Sequence, residues 1–248
     1  MSKDKSSIDP DHLTEMASLK HWGPLPERAL DAGFSRGAVV DCGWGRLLFG
    51  QTFSDPDELS SQLQNEKTGQ RDVALYVREP HIVLSRAPHA LFLDPSHTFR
   101  LNLQAEKSFE FVGNGVVVDM AEPSDLTQIN KIYAARNMVT ISEDYFTNNL
   151  KAASVALLTA RDSQSGDVLG VVMGVDHWHA FGDPDNGSSL WALAVDTQAK
   201  LPGVGSKLVV ALAEHFQKAG RSFMDLSVMH DNQEAIQLYT KLGFDQIP

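Results

Sequence analysis

The chain has 248 residues, 42% hydrophobic and 21% charged, an ordinary globular composition with room for one large domain or two small ones. Asp and Glu (32) outnumber Lys and Arg (21), and the net charge of −11 argues against a nucleic-acid backbone or an anionic membrane as the main partner. No apolar run approaches the roughly 18 residues that cross a bilayer, the first ten residues lack the apolar stretch of a secretory signal, and the single cysteine, Cys42, cannot close an internal disulfide, so a cytoplasmic setting is expected.

Residues 1–36 read as a polar arm broken by Pro10, Pro24 and Pro26, with one short helix near Leu13 to Leu19. His12 and His21 carry no metal-ligand spacing. Residues 37–114 read as a small α+β region. Strands are expected over 38–42 and 46–53, joined by Gly43-Trp44-Gly45. Asp55-Pro56-Asp57-Glu58 is a helix opening, with a cap candidate, a first-turn proline and acids at the positive helix end; that helix should run to about Lys67. Further strands are expected over 72–77, 82–85 and 97–103. No spacing in this region marks a catalytic cluster, and Cys42 beside Gly43 reads as a small packed residue rather than a nucleophile.

Residues 115–248 have a different texture. A strand over 116–120 is followed by a helix with apolar residues at Leu126, Ile129, Ile132 and Tyr133, then by a second helix start with Ser142 as cap candidate. Residues 155–160 and 168–175 form a hairpin. Ser189 to Asp196 is an apolar strand, and Lys200-Leu201-Pro202-Gly203-Val204-Gly205-Ser206-Lys207 hands it over to a helix expected from Ser206 to about Lys218. A strand over 223–228 and a last helix opened by Asn232 complete the pattern. A glycine loop feeding a helix makes an anion site, because the first helical amides lack internal partners. The P-loop pattern fails here, since Ser206 separates Gly205 from Lys207 and Leu208 replaces the hydroxyl; a dinucleotide fingerprint lacks its third glycine at Leu208. Taken alone, a plain two-glycine turn is an equal alternative.

The order strand, glycine loop, helix, strand, then Asn232, Ala235, Leu238, Tyr239, Gly243 and Phe244, resembles the GNAT superfamily, the Gcn5-related N-acetyltransferases. The resemblance implies an α+β fold with a mixed central sheet flanked by helices, and acetyl-CoA as cofactor. It assigns the pyrophosphate to the amides of Val204, Gly205, Ser206 and Lys207 beside Gly203, and the pantetheine and thioester to Leu193, Ala194 and Val195. Lys200 stands where the family has Gln or Arg, which leaves a specific role for its side chain open. Asn232 and Ala235 belong to the cofactor end, with helix capping as the alternative for Asn232. Tyr239 matches the tyrosine that protonates the departing thiolate, with a core tyrosine as the alternative. The amine must lose a proton, and His177 is taken as its base; Asp176 and Glu143 are placed beside the acceptor, with polar residues facing water as the alternative for each. His177 and His179 lack a third ligand, so no metal is expected.

Residues 72–81, 93–98 and 226–232 also resemble the amino-terminal acetyltransferase region of the bacterial N-acetylglutaminylglutamine synthetase family, in which an ATP-grasp ligase follows. This implies glutamine or a glutamine dipeptide as the small-molecule amine and a role in osmoprotection. It also implies that the chain is a piece of a larger protein, lacking the ligase and the strand expected after Phe244. An oligomer is compatible with the sequence. The competing readings are a non-catalytic acyl-CoA-binding module and, for residues 37–114, a degenerate second acyltransferase lobe.

Overall fold

The computed structural model describes residues 35–104, 115–149 and 152–247. The expected arm, with its short helix, His12 and His21, falls almost wholly outside them. The fold is α+β, with a seven-stranded mixed sheet flanked by helices and a three-stranded sheet beside it.

The smaller sheet holds β1 (Val39–Asp41), β2 (Arg46–Phe49) and β3 (Val73–Leu75) in that order. Its alternation divides its side chains. Leu47 and Phe49 join the core shared with the large sheet, whereas Leu48 turns to a second core with Phe53, Leu59 and Val83. Leu59 and Val83 belong to α1 (Pro56–Leu63) and α2 (Pro80–Arg86). Asp55 caps α1 by accepting from the Glu58 amide, as its sequence promised. Residues 82–85 were expected as a strand and are helical. Ile82-Val83-Leu84 has strand composition, but Pro80 at the first helical position opens a turn, and only Val83 of α2 is buried. The Gly43-Trp44-Gly45 loop is packed too closely for side chains, since a Cβ at Gly43 would lie 2.4 Å from the Tyr145 ring and one at Gly45 1.7 Å from the Arg71 carbonyl oxygen.

The large sheet has the order β10-β4-β9-β8-β7-β6-β5. Its strands are β4 (Ser96–Asn102), β5 (Val116–Met120), β6 (Val155–Asp162), β7 (Val168–Asp176), β8 (Gly187–Val195), β9 (Phe223–Met229) and β10 (Asp245–Ile247). One face packs on α6 (Val204–Lys218) and α7 (Gln233–Lys241), through Leu208, Leu212, Phe216, Tyr239 and their strand partners. The other packs on α3 (Leu126–Ala135), α4 (Glu143–Asn149), the short α5 (His177–Phe181) and the small sheet. The α6 helix begins at Val204, two residues before its expected start.

One expectation about strands changes. Residues 96–102, assigned by sequence to the leading region, belong to the large sheet, where β4 pairs antiparallel with β9 over seven residue pairs. Residues 245–247 form the short strand β10, which pairs antiparallel with β4 on the edge opposite β9. A strand from early in the chain, with Phe99, Arg100 and Leu101 all buried, fills the edge of β9, so the last residues add to that strand instead.

β4 and β9 are held by a buried ion pair. Arg100 Nε and Nη2 donate to the two oxygens of Asp225 at 2.7 and 2.8 Å, and the guanidinium stacks 3.7 Å over the Phe223 ring. Tyr76 adds a hydroxyl donation to Asp225 at 2.8 Å. Removing one member strands a charge in a dry site, so Arg100→Met should destabilise the fold by about 3–5 kcal/mol, measured by urea unfolding. The double variant Arg100→Met, Asp225→Leu should recover most of that loss.

Candidate active site

The site begins where two strands part. β8 and β9 run parallel but pair only over Gly187–Ser189 and Phe223–Asp225. Beyond Ser189 they diverge, and β8 bulges against β7: Val172 lies opposite both Ala192 and Leu193. Ala192 sits at φ +51 within this bulge. The α3 helix holds the bulged strand, since Tyr133 donates to the Ala192 carbonyl at 3.4 Å and Arg136 Nε donates to the Val195 carbonyl at 2.8 Å. Leu193, Ala194 and Val195, the expected thioester strand, therefore flank an opening in the sheet. The Val195 carbonyl already has the Arg136 guanidinium as a partner, so its expected availability to a pantetheine amide is reduced.

The glycine loop lies at the end of this strand. Gly203 is the N-cap of α6 at φ +78, is exposed, and supplies no side-chain cap. A Cβ at Gly205 would lie 3.6 Å from Val195 and 3.8 Å from Leu238, so loop, strand end and α7 converge there. The Lys207 amide donates to the Gly203 carbonyl and its Nζ donates to the Val116 carbonyl. That narrows the expected set: Val204, Gly205 and Ser206 hold the first-turn amides, while Lys207 closes the turn and braces β5. Lys200 is exposed on the approach to the loop. Asn232 caps α7, its side chain accepting from the Ala235 amide at 3.2 Å, so the capping alternative holds for it. Tyr239 is buried between α6 and Phe244, and burial pushes its hydroxyl up to about 12. It stays protonated at neutral pH, the state a proton donor needs.

On the opposite face, a cavity of about 900 Å³ opens between the parted strands and the small sheet. Ser189, Trp191, Asp225 and Ser227 line its floor, and Leu75, Tyr76, Val83 and Phe92 its roof. Glu66, Asp72, Asp94 and Asp225 supply acidic groups, and Arg71 is the one basic residue among the described lining residues. Asp72 is tied to Arg46 at 2.6 Å, and Asp225 to Arg100.

Three acceptor-side residues sit elsewhere than expected. His177 is 1% exposed, boxed by Phe49, Tyr76, Phe181 and Phe223, so it meets no open water. Asp176 is buried, caps α5 through the His179 amide, and pairs with Arg221 and His179, so its carboxylate is already engaged, and it is absent from the described cavity lining. Glu143 is exposed in the first turn of α4 and is absent from the described cavity lining. Cys42 is buried, and burial together with Asp41 pushes its thiol up, consistent with a packed side chain. The residues that sequence reasoning missed are Tyr76, Arg100, Ser189, Trp191 and Asp225. Strand alternation was the available signal for Ser189 and Trp191; no local pattern marks a pair separated by 125 positions.

Residues 125–244 match the acetyltransferase (GNAT) family model. This segment, just under half of the chain, is similar to the GNAT acetyltransferases. Its cofactor is acetyl-CoA, and the uncapped amides of 204–206 with the gap beside β8 fit that group's pyrophosphate and thioester ends. Among solved structures, a Drosophila protein is 14% identical, with a TM-score of 0.53 over 81% of this chain and 67% of its own. That coverage exceeds the 125–244 segment, so the likeness of fold takes in part of what precedes it. The yncA structure from Salmonella typhimurium, solved with its cofactor acetyl-CoA, is 21% identical over 53% of this chain and 80% of its own, with a TM-score of 0.44. The ribosomal-protein-S18-alanine N-acetyltransferase of Escherichia coli is 23% identical over 54% and 79%, with a TM-score of 0.42. No curated protein matches the chain.

Gly203→Val should test the cradle. A β-branched residue at φ +78 is strained by about 1–3 kcal/mol, and calorimetry should show weaker coenzyme A binding than for the natural chain.

Proposed function

We propose that the protein transfers an acetyl group from acetyl-CoA to the α-amine of glutamine or of a glutamine dipeptide, within the synthesis of an osmoprotectant in the cytoplasm. The substrate reading rests on the resemblance of residues 72–81, 93–98 and 226–232, and the cavity is compatible with it. Glu66 and Asp94, the lining carboxylates not tied to an arginine among the described residues, favour an ammonium group, Arg71 offers a partner to an α-carboxylate, and apolar walls accept a side chain. The observation that carries the reading is the cavity's position, open to the gap between β8 and β9 from the face opposite the glycine loop. An ATP-grasp ligase following this chain would amidate or extend the product.

Acetyl-CoA, when bound, supplies the activated acetyl thioester. Val204, Gly205 and Ser206 would hold its pyrophosphate end, and Leu193, Ala194 and Val195 would orient the acetyl-bearing arm. Tyr239 would give its proton to the leaving thiolate and regain one as the nitrogen sheds its second proton to become the amide. The cavity walls hold the amine and exclude bulk water.

Thiol release from acetyl-CoA should be fastest with glutamine or glutaminylglutamine in a panel that includes putrescine and lysine; a preference for the diamines would replace the assigned substrate. Tyr239→Phe should lower kcat by about 10²-fold or more with coenzyme affinity unchanged. An unchanged kcat would remove the tyrosine from the chemistry.

A further inference from the structure

Beneath the floor of the cavity three side chains stand in a row. The Ser189 hydroxyl lies 2.9 Å from His177 Nε2, and His177 Nδ1 lies 3.4 Å from Asp183 Oδ2. All three residues are buried. Asp183 is fixed by its own acceptor bonds, with the Gly187 amide donating to Oδ2 at 2.9 Å and the Asp185 amide to Oδ1 at 3.2 Å. Burial would raise its carboxyl, but the hydrogen bond and charge of His177, with these two amides, outweigh it and hold the group below its ordinary value. An ionised carboxylate only accepts, so Nδ1 faces it with a proton; when the ring is in its neutral form, Nε2 is the bare nitrogen. The Ser189 hydroxyl then donates to Nε2. Trp191 Nε1 donates to the Ser189 oxygen at 2.8 Å. A hydroxyl has one proton and two lone pairs. With the proton given to His177 and one pair given to Trp191, one pair remains, on a residue that lines the cavity.

We propose that Ser189, His177 and Asp183 form a proton relay that deprotonates the acceptor ammonium in the cavity. The inference rests on the acetyl-transfer reading above and revises the role expected of His177, which acts through Ser189 rather than on the amine. The ammonium N–H bond breaks as its proton passes to the Ser189 oxygen. The Ser189 O–H bond breaks as its own proton passes to His177 Nε2. The amine is left neutral with a free lone pair, and the imidazolium is held against the Asp183 carboxylate. The proton returns to solvent by the same route when the cavity empties. Ser189 is the catalytic residue; His177 and Asp183 act through it. The other groups around the ring are Tyr76 from the segment after β3 and Asp225 on β9, which is neutralised by Arg100 on β4; Asp176, ahead of α5, is paired with Arg221.

The test measures kcat, KM for the amine and the pH profile of kcat/KM on the full chain, for Ser189→Ala, Asp183→Asn and Ser189→Cys. The expected result for Ser189→Ala is a fall in kcat of about 10²-fold, with coenzyme A affinity and melting midpoint within error of the natural chain. The acid limb that reports His177 should vanish from its profile, leaving only the ionisation of the amine. Asp183→Asn should lower the apparent pKa of that limb, because the imidazolium loses its counter-charge. Ser189→Cys, which keeps an ionisable proton at the position, should restore part of the rate. An unchanged limb in Ser189→Ala overturns the relay even if kcat falls, since that is the behaviour of a packing residue. An active natural chain with an indifferent Ser189→Ala overturns the relay alone. A natural chain that binds coenzyme A and acetylates no amine overturns both the relay and the transfer reading.

Discussion

The Arg100–Asp225 pair sits at the hinge of the whole arrangement. Asp225 is opposite Ser189 in the last pair that joins β8 to β9. Past that point the strands separate, and a gap through a sheet leaves ladder groups on both edges without strand partners. The pair fixes β9 from its other side, through a bidentate contact and seven rungs to β4. β9 is therefore anchored at the residue where β8 leaves it. Tyr76, at φ +56, reaches the same carboxylate from the small sheet, which brings the roof of the cavity into register with its floor.

That constraint explains why the leading region is not an independent appendage. It supplies β4 to the large sheet and Phe49, Leu75 and Tyr76 to a core shared with α3 and α4. It also supplies the cavity wall opposite the parted strands. The two faces of the sheet then divide the labour. The face under α6 and α7 carries the glycine loop, the uncapped helix start and Tyr239. The face under the small sheet carries the acidic cavity and the Ser189 row. In the proposed reaction, cofactor and acceptor would reach one gap from opposite sides, so neither would need to cross the other's path.

Much of this was legible in the chain. The amphipathic helices, the hairpin of β6 and β7, and the strand, glycine loop and helix order were carried by period and punctuation, which are local. The Asn232 cap and the Gly203 turn were readable for the same reason. Residues 82–85 went astray because β-branched composition competed with a proline start, and the proline decided. His177 and Asp176 went astray because sequence places a residue at a strand end but not on a face; burial among Phe49, Phe181 and Phe223 comes from elements far apart in the chain. The insertion of β4 beside β9 depends on a pairing across more than a hundred residues, for which no local rule exists.

The most direct test of the account is a crystal structure with coenzyme A bound. It should place the pyrophosphate on the amides of Val204, Gly205 and Ser206, with the thiol end in the gap beside Leu193 and facing the cavity floored by Ser189. A pyrophosphate held away from that loop, or a thiol that does not reach the gap between β8 and β9, would contradict it.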